Sequence, residues 1–250
     1  MNNALTDRLF WSNYWESKLD LAVRIEPNYL FHQQLLPLIK HAKPDTAIEL
    51  GGFPGYYSIF LKKYFAIDTT LFDFFVHQGI LNKVLAKNGL DDKDVSIIEA
   101  DLFHFTPSNQ YDLVLSCGLI EHFIDTQDVL AHHVKFLKPG GSLFVTLPNF
   151  RGVNGWIQRV FDRDNYQKHH IHCMDVALLR RCCHQLGLKN VQVNYTGRFS
   201  VWLEHKKQKS WPTRLLVKTI WYLGKLITKL VPFESKCLSP YLVIKAEKAN

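Results

Sequence analysis

Three acids stand at the ends of short apolar runs, where a ligand-binding edge would need them. Glu49 lies in Ala47-Ile48-Glu49-Leu50, which runs into Gly51-Gly52-Phe53-Pro54-Gly55. Asp73 closes Ile67-Asp68-Thr69-Thr70-Leu71-Phe72, and Asp101 follows Ile98-Glu99-Ala100. A strand that enters a glycine turn and then a helix lets a ligand approach the main chain closely. The helix start offers N–H groups without intrahelical partners to a polar or anionic group. A carboxylate at the tip of the second strand, about 20 residues on, can accept both hydroxyls of a ribose. The simpler alternative is that Asp73 caps the next helix. Asp101, after a third strand, is placed to accept an adenine amino group.

Histidine supplies the second kind of chemistry, because it titrates near neutrality. His122 follows a fourth apolar run, in Cys117-Gly118-Leu119-Ile120-Glu121-His122. There it is a candidate general base or substrate contact, and otherwise a helix-start histidine bonded to nearby backbone. Lys168-His169-His170-Ile171-His172-Cys173 is a second cluster, with His170 the candidate for substrate contact. Metal sites draw ligands from more than one segment, and this run has no second half in the sequence, so no metal is assigned. Cys182-Cys183-His184 reads as packing within a helix.

These residues need a frame. Apolar runs at 46–50, 67–72, 95–98, 111–116, 142–147, 188–195 and 241–244 predict strands. Segments 56–65, 76–88, 125–137 and 174–186 predict helices between them. Such alternation predicts an α/β fold with a mostly parallel sheet and helices on both faces. Residues 5–41 read as helical, and Pro44-Asp45 ends that region. The expected organisation is an N-terminal helical cap, 1–44, and a main domain, 45–250, interrupted by a helical insertion at 205–236. Trp11-Ser12-Asn13-Tyr14-Trp15 in the cap is either a lid over a ligand or a set of rings packed on the sheet.

Taken in order, the motifs are the glycine turn, Asp73, Asp101, Tyr111-Asp112-Leu113-Val114, Glu121-His122 and Leu137-Lys138-Pro139-Gly140-Gly141. Together they resemble the class I S-adenosylmethionine-dependent methyltransferases, notably the branch acting on small molecules such as quinones and sugars. The resemblance covers about 45–195 and the last strand. It implies a Rossmann-like seven-stranded sheet, S-adenosylmethionine as cofactor, and methyl transfer to a small-molecule or lipid-linked acceptor, with O-methylation favoured. By the same resemblance, Gly51, Gly52 and Gly55 line the methionine end of the cofactor, and Glu49 orients that wall. Asp73 holds the ribose, and Phe74 flanks the adenine. Asp101 and Leu102 read the adenine edge, and Ser116 and Cys117 lie beside the methionine portion. One residue departs from the pattern: Phe53 stands at the family's usual central glycine, so its side chain must point away or the turn must shift. A non-catalytic binding or scaffold protein on the same fold is the alternative. An NAD-dependent dehydrogenase fits less well, since the turn lacks a regular Gly-x-Gly-x-x-Gly and no Tyr-x-x-x-Lys follows the fourth strand.

The chain has 250 residues, 47% of them hydrophobic, enough for a sizeable core. Its five cysteines match no disulfide or zinc framework, which predicts a reducing cytoplasm. Met1 to Arg8 lacks an apolar signal core, and no uncharged run approaches the ~20 residues of a membrane span. Net charge is +7, and residues 205–236 alone carry eight basic side chains against Glu234, a surplus equal to that of the whole chain. Within 211–231, Arg214, Lys218, Lys225 and Lys229 fall in an arc of about 60°, with leucines and isoleucines opposite. This amphipathic helix either packs its apolar face on the domain, with solvated lysines, or lies in the interface of an anionic membrane. The latter makes the protein peripheral on the cytoplasmic membrane face. A nucleic-acid partner is not favoured, since no reading module accompanies the basic stripe.

Overall fold

The computed structural model describes residues 3–18, 20–230 and 233–250. Seven strands form one sheet: β1 (Thr46–Leu50), β2 (Asp68–Asp73), β3 (Val95–Glu99), β4 (Tyr111–Cys117), β5 (Leu137–Pro148), β6 (Leu188–Thr196) and β7 (Tyr241–Lys248), in the order β3-β2-β1-β4-β5-β7-β6. The strands from β3 to β5 run parallel, and β7 is antiparallel to both neighbours. The order reverses at β1 and β4, and open α/β sheets bind ligands outside the carboxyl ends of the strands at such a point.

Parallel strands are covered on both faces and read as unbroken apolar runs. In β4, Leu113 and Leu115 enter one core cluster with Leu35 and Ile39 of α2 (His32–Ala42), Ile59 to Leu61 of α3 (Tyr56–Phe65) and Leu81 of α4 (Gln78–Lys87). Val114 enters the other, with Val129 and Leu130 of α5 (Thr126–Lys135) and Leu179 of α8 (Val176–Gln185). A third, smaller cluster joins Ile157 of α6 (Val153–Phe161) to Phe199, Val201 and Val217 of α9 (Trp211–Leu230).

The N-terminal region departs from the expected continuous helix. It forms α1 (Arg8–Glu16), capped by the Asp7 carboxylate on the Phe10 N–H at 2.7 Å, and then α2. Residues 20–31 are not helical because their backbone bonds elsewhere. The Ile25 N–H donates to Asn88 Oδ1 at 2.7 Å, and Tyr64 Oη donates to the Ile25 carbonyl at 2.7 Å. This fixes the fully buried Ile25 against α3 and α4. Two helices absent from the sequence reading, α6 and α7 (Arg163–Gln167), fill the stretch after β5. Met1, Asn2, Leu19 and residues 231 and 232 lie outside the described residues, so one position of the expected helical stretch 5–41 and the expected helix end at 231 fall there.

Candidate functional site

At the carboxyl edge of β1 the chain turns sharply. Gly51 adopts φ +61°, and a Cβ there would sit 2.5 Å from the Leu119 side chain. Gly52 has a different reason to be bare: a Cβ would meet the Glu49 side chain at 2.3 Å. Glu49 is buried and turned toward α3. Its Oε2 accepts the Ser58 N–H and hydroxyl, both at 2.7 Å, and its Oε1 accepts the Tyr57 N–H at 3.4 Å. Two of the first-turn donors that the sequence offered to a ligand, the Tyr57 and Ser58 N–H groups, are therefore taken by Glu49. Burial outweighs these bonds and pushes the carboxyl up to about 7.

Asp73 ends β2 and closes the same turn. Its Oδ2 accepts the Phe53 N–H at 2.9 Å, and its Oδ1 accepts the Phe75 N–H at 3.1 Å. Each oxygen keeps a further lone pair. Burial raises this carboxyl to about 6. Asp73 stands on the wall of a cavity of about 1100 Å³, large enough for a nucleoside cofactor and an acceptor together. Gly51, Phe74, Asp101, Leu102, Cys117 and His122 share that wall. Asp101 accepts the Phe103 N–H at 2.9 Å and contacts His104 Nδ1 at 2.7 Å. Burial pushes the Cys117 thiol up, which keeps it protonated.

Five sequence candidates stand off this wall. Glu49 and Gly52 serve the α3 anchor, and Gly55, at φ +89°, is the N-cap of α3. Ser116 is fully buried toward α5, its Oγ 2.9 Å from His133 Nε2. His170 is the last: its backbone N–H donates to the Glu121 carbonyl at 2.6 Å, and its neighbour His169 reaches the cavity instead.

His122 lies in a short 3-10 turn, Ile120–His122, with its Nδ1 2.9 Å from the Lys168 carbonyl. Burial lowers its pKa to about 3, so the ring is neutral. Its ring centroid is 4.8 Å from that of His169 and 5.0 Å from that of Trp11, which stands perpendicular to it. Glu121 beside it is buried, which raises its carboxyl to about 8, and its Oε2 has no hydrogen-bond partner. Sequence reasoning missed His169 and Trp11 as individual wall residues. The histidine run and the aromatic-dense cap were visible, but spacing alone does not say which member of each faces inward.

A protein-family model described as a methyltransferase domain matches residues 24–193. The chain belongs to that methyltransferase-domain family. Its fold is that of the class I S-adenosylmethionine-dependent methyltransferases. Haemonchus contortus phosphoethanolamine N-methyltransferase 2, in complex with S-adenosyl-L-methionine, is 17% identical with a TM-score of 0.60, over 87% of this chain and 53% of its own. The chain thus spans about half the length of that structure. The N-methyltransferase NodS of Bradyrhizobium japonicum, with S-adenosyl-L-homocysteine, is 12% identical with a TM-score of 0.57, over 98% and 100% of the two chains. An O-methyltransferase family protein of Burkholderia thailandensis is 14% identical with a TM-score of 0.55, over 90% and 58%. A search of curated proteins returned no match.

In this methyltransferase domain Phe53 is accommodated by packing. Its ring is buried, 5.3 Å edge-on to Trp15, while its N–H holds Asp73. α1 buries none of its own residues, yet its Phe10, Trp11, Tyr14 and Trp15 line the cavity. An ion pair between Arg8 and Glu99 ties α1 to the rim, as does one of 3.0 Å between Lys18 and Glu204 after it. Glu204 and Lys209, in the segment leading into α9, line the cavity too, and Lys209 pairs with the buried Asp162 at 2.7 Å.

Proposed function

We propose that this chain is an S-adenosylmethionine-dependent methyltransferase acting on a hydroxyl of a hydrophobic or lipid-linked small molecule, at the surface of an anionic membrane. The observation that carries the cofactor reading is Asp73, buried at the end of β2, bonded to the glycine turn and lining the cavity. When bound, the cofactor supplies a methyl group already activated by its sulfonium, which passes to the acceptor oxygen as the carbon–sulfur bond breaks. Asp73 accepts the ribose hydroxyls, Phe74 flanks the adenine, Asp101 and Leu102 read its edge with Asp101 accepting the amino group, and the Gly51 backbone and Cys117 border the methionine portion. His122, neutral and on the cavity wall, orients the acceptor hydroxyl as a hydrogen-bond acceptor, and the hydroxyl proton passes to solvent once the oxygen is methylated. The helices and rings of the cap exclude water, and alignment of the acceptor at about 3 Å does the rest.

The membrane reading rests on α9. Its packed side is Val217, Gly224 and Thr228, and a Cβ on Gly224 would meet the Phe199 ring at 2.1 Å. Leu215, Leu216, Leu223, Leu226, Ile227 and Leu230 are all exposed on the opposite side, within an arc of about 120°. Of the apolar residues opposite the basic arc only Ile220 packs, against the third core cluster, and the others stay exposed, contrary to the simpler sequence expectation. Arg214, Lys218, Lys225 and Lys229 flank it, the arrangement that suits an anionic lipid interface. Among the described residues no helix is long and apolar enough to cross a membrane. Because the cavity wall continues into α9 through Glu204 to Lys209, an acceptor carried by lipid would meet the site beside its anchor.

Calorimetry with S-adenosylmethionine and S-adenosylhomocysteine tests the first part, followed by radiolabelled methyl transfer to extracted metabolites and lipids. Micromolar cofactor binding with a labelled product is expected. Absence of binding at millimolar cofactor overturns the reading, and binding without any labelled product selects the non-catalytic alternative.

A further inference from the structure

We infer that Glu121, His122 and His169 form a site for one divalent first-row transition-metal ion on the cavity wall. Two segments distant in sequence meet here, the 3-10 turn after β4 and the loop after α7. One ligand atom from each of the three residues lies within 4.8 Å of the others. That is somewhat wider than the spacing a tetrahedral ion with ligand bonds of about 2.0–2.2 Å imposes, and rotation of the side chains closes it.

The two rings are already set for ligation. His122 Nδ1 lies 2.9 Å from the Lys168 carbonyl, and His169 Nδ1 lies 2.7 Å from the Asn165 carbonyl. A carbonyl only accepts, so each Nδ1 carries the proton and each Nε2 keeps its lone pair. Metal-bound histidines show this arrangement, with the second nitrogen tied to a carbonyl or carboxylate. Glu121 gives the independent observation. It is 1% exposed, and its Oε2 is buried without a partner. A buried carboxyl oxygen left unpaired is costly, and an ion shared with two imidazoles would satisfy it. Trp11 and Phe150, at 5.0 and 4.7 Å from the two histidine rings, supply an apolar surround.

All three residues line the cavity, so an ion there keeps an open coordination position toward a bound molecule. Its role, though not its presence, rests on the methyltransferase reading: with the His122 Nε2 engaged by the ion, the ion takes over that ring's contact and would hold and polarise the acceptor oxygen.

The full chain is stripped with chelator and titrated with Zn2+ by calorimetry, and with Co2+ by visible absorption. One ion per chain and a Zn2+-dependent rise in Tm are expected. Glu121→Gln and His169→Ala should each weaken Zn2+ binding by roughly tenfold to 100-fold or more, because even outer partners of a metal carry that much. His172→Ala, in the same histidine run but exposed, should leave affinity unchanged. Circular dichroism of each variant separates a lost ligand from a lost fold. Absence of stoichiometric uptake by the folded, stripped chain overturns the site. So does uptake indifferent to Glu121→Gln and His169→Ala, or lost equally in His172→Ala. A chain that binds S-adenosylhomocysteine but no zinc refutes this inference alone, and the reverse result refutes only the methyltransferase reading.

Discussion

Asp73 and Glu49 are both carboxylates raised by burial, and they differ in what an ionised form would serve. Ionised Asp73 can accept the hydroxyls of a ribose, so cofactor affinity should be constant above pH 6. It should fall about tenfold per unit as pH drops through about 6, where the carboxyl protonates. Asp73→Asn should weaken S-adenosylhomocysteine at least tenfold and flatten that profile, both readable by calorimetry from pH 5 to 8. Glu49 shows its charge in stability instead. Its folded pKa, about 7, lies above its ordinary 4.5, so its contribution is fully present below 4.5 and is lost as pH rises through about 7. The loss is about 3 kcal/mol. Asp73 acts in the same sense, so the difference between the natural chain and Glu49→Gln isolates the Glu49 part. Urea midpoints of Glu49→Gln should change less between pH 4.5 and 7.5; equal changes in the two proteins would dismiss the assignment.

At the scale of elements, α9 has two faces with opposite predicted phenotypes. Leu223→Glu with Leu226→Glu changes only exposed positions, so Tm should stay within about 1 °C. Co-sedimentation with vesicles containing anionic lipid should be lost. Gly224→Val forces a side chain into Phe199 and should destabilise by about 1–3 kcal/mol. Unimpaired pelleting of the double variant would remove the membrane reading. The strands were legible because a doubly covered strand is an unbroken apolar run, and the acids at their ends followed from that. The stretch 20–31 was not, since its backbone bonds Asn88 and Tyr64, partners remote in sequence. α6 escaped because Asn154 and Gly155 lie in its first turn, both poor helix formers. His169 was hidden among its neighbours: which histidine of an irregular loop turns inward depends on local backbone that carries no period.

At the scale of the molecule, the cavity joins pieces that the sequence holds far apart. The sheet edge supplies Asp73 and Cys117, the cap supplies Trp11 and Trp15, and the segments before α9 supply His169 and Glu204. The pairs Arg8–Glu99 and Lys18–Glu204 bridge these pieces at the rim. One exposed and one half-buried pair contribute little by themselves, so ring packing on Phe53 and His122 must hold the cap. A ligand enclosed by all three pieces binds only when all are folded and therefore stabilises the whole transition. At 100 times its Kd, S-adenosylhomocysteine should add about 2.7 kcal/mol. For a chain of this size that is a rise of about 5–11 °C in Tm. Trp11→Ala with Trp15→Ala should weaken binding by opening the cap, so at the same absolute ligand concentration the rise should shrink while the sheet still unfolds in one step. If calorimetric scans instead show the cap melting separately, with an undiminished rise in the double variant, the cap takes no part in enclosing the cofactor.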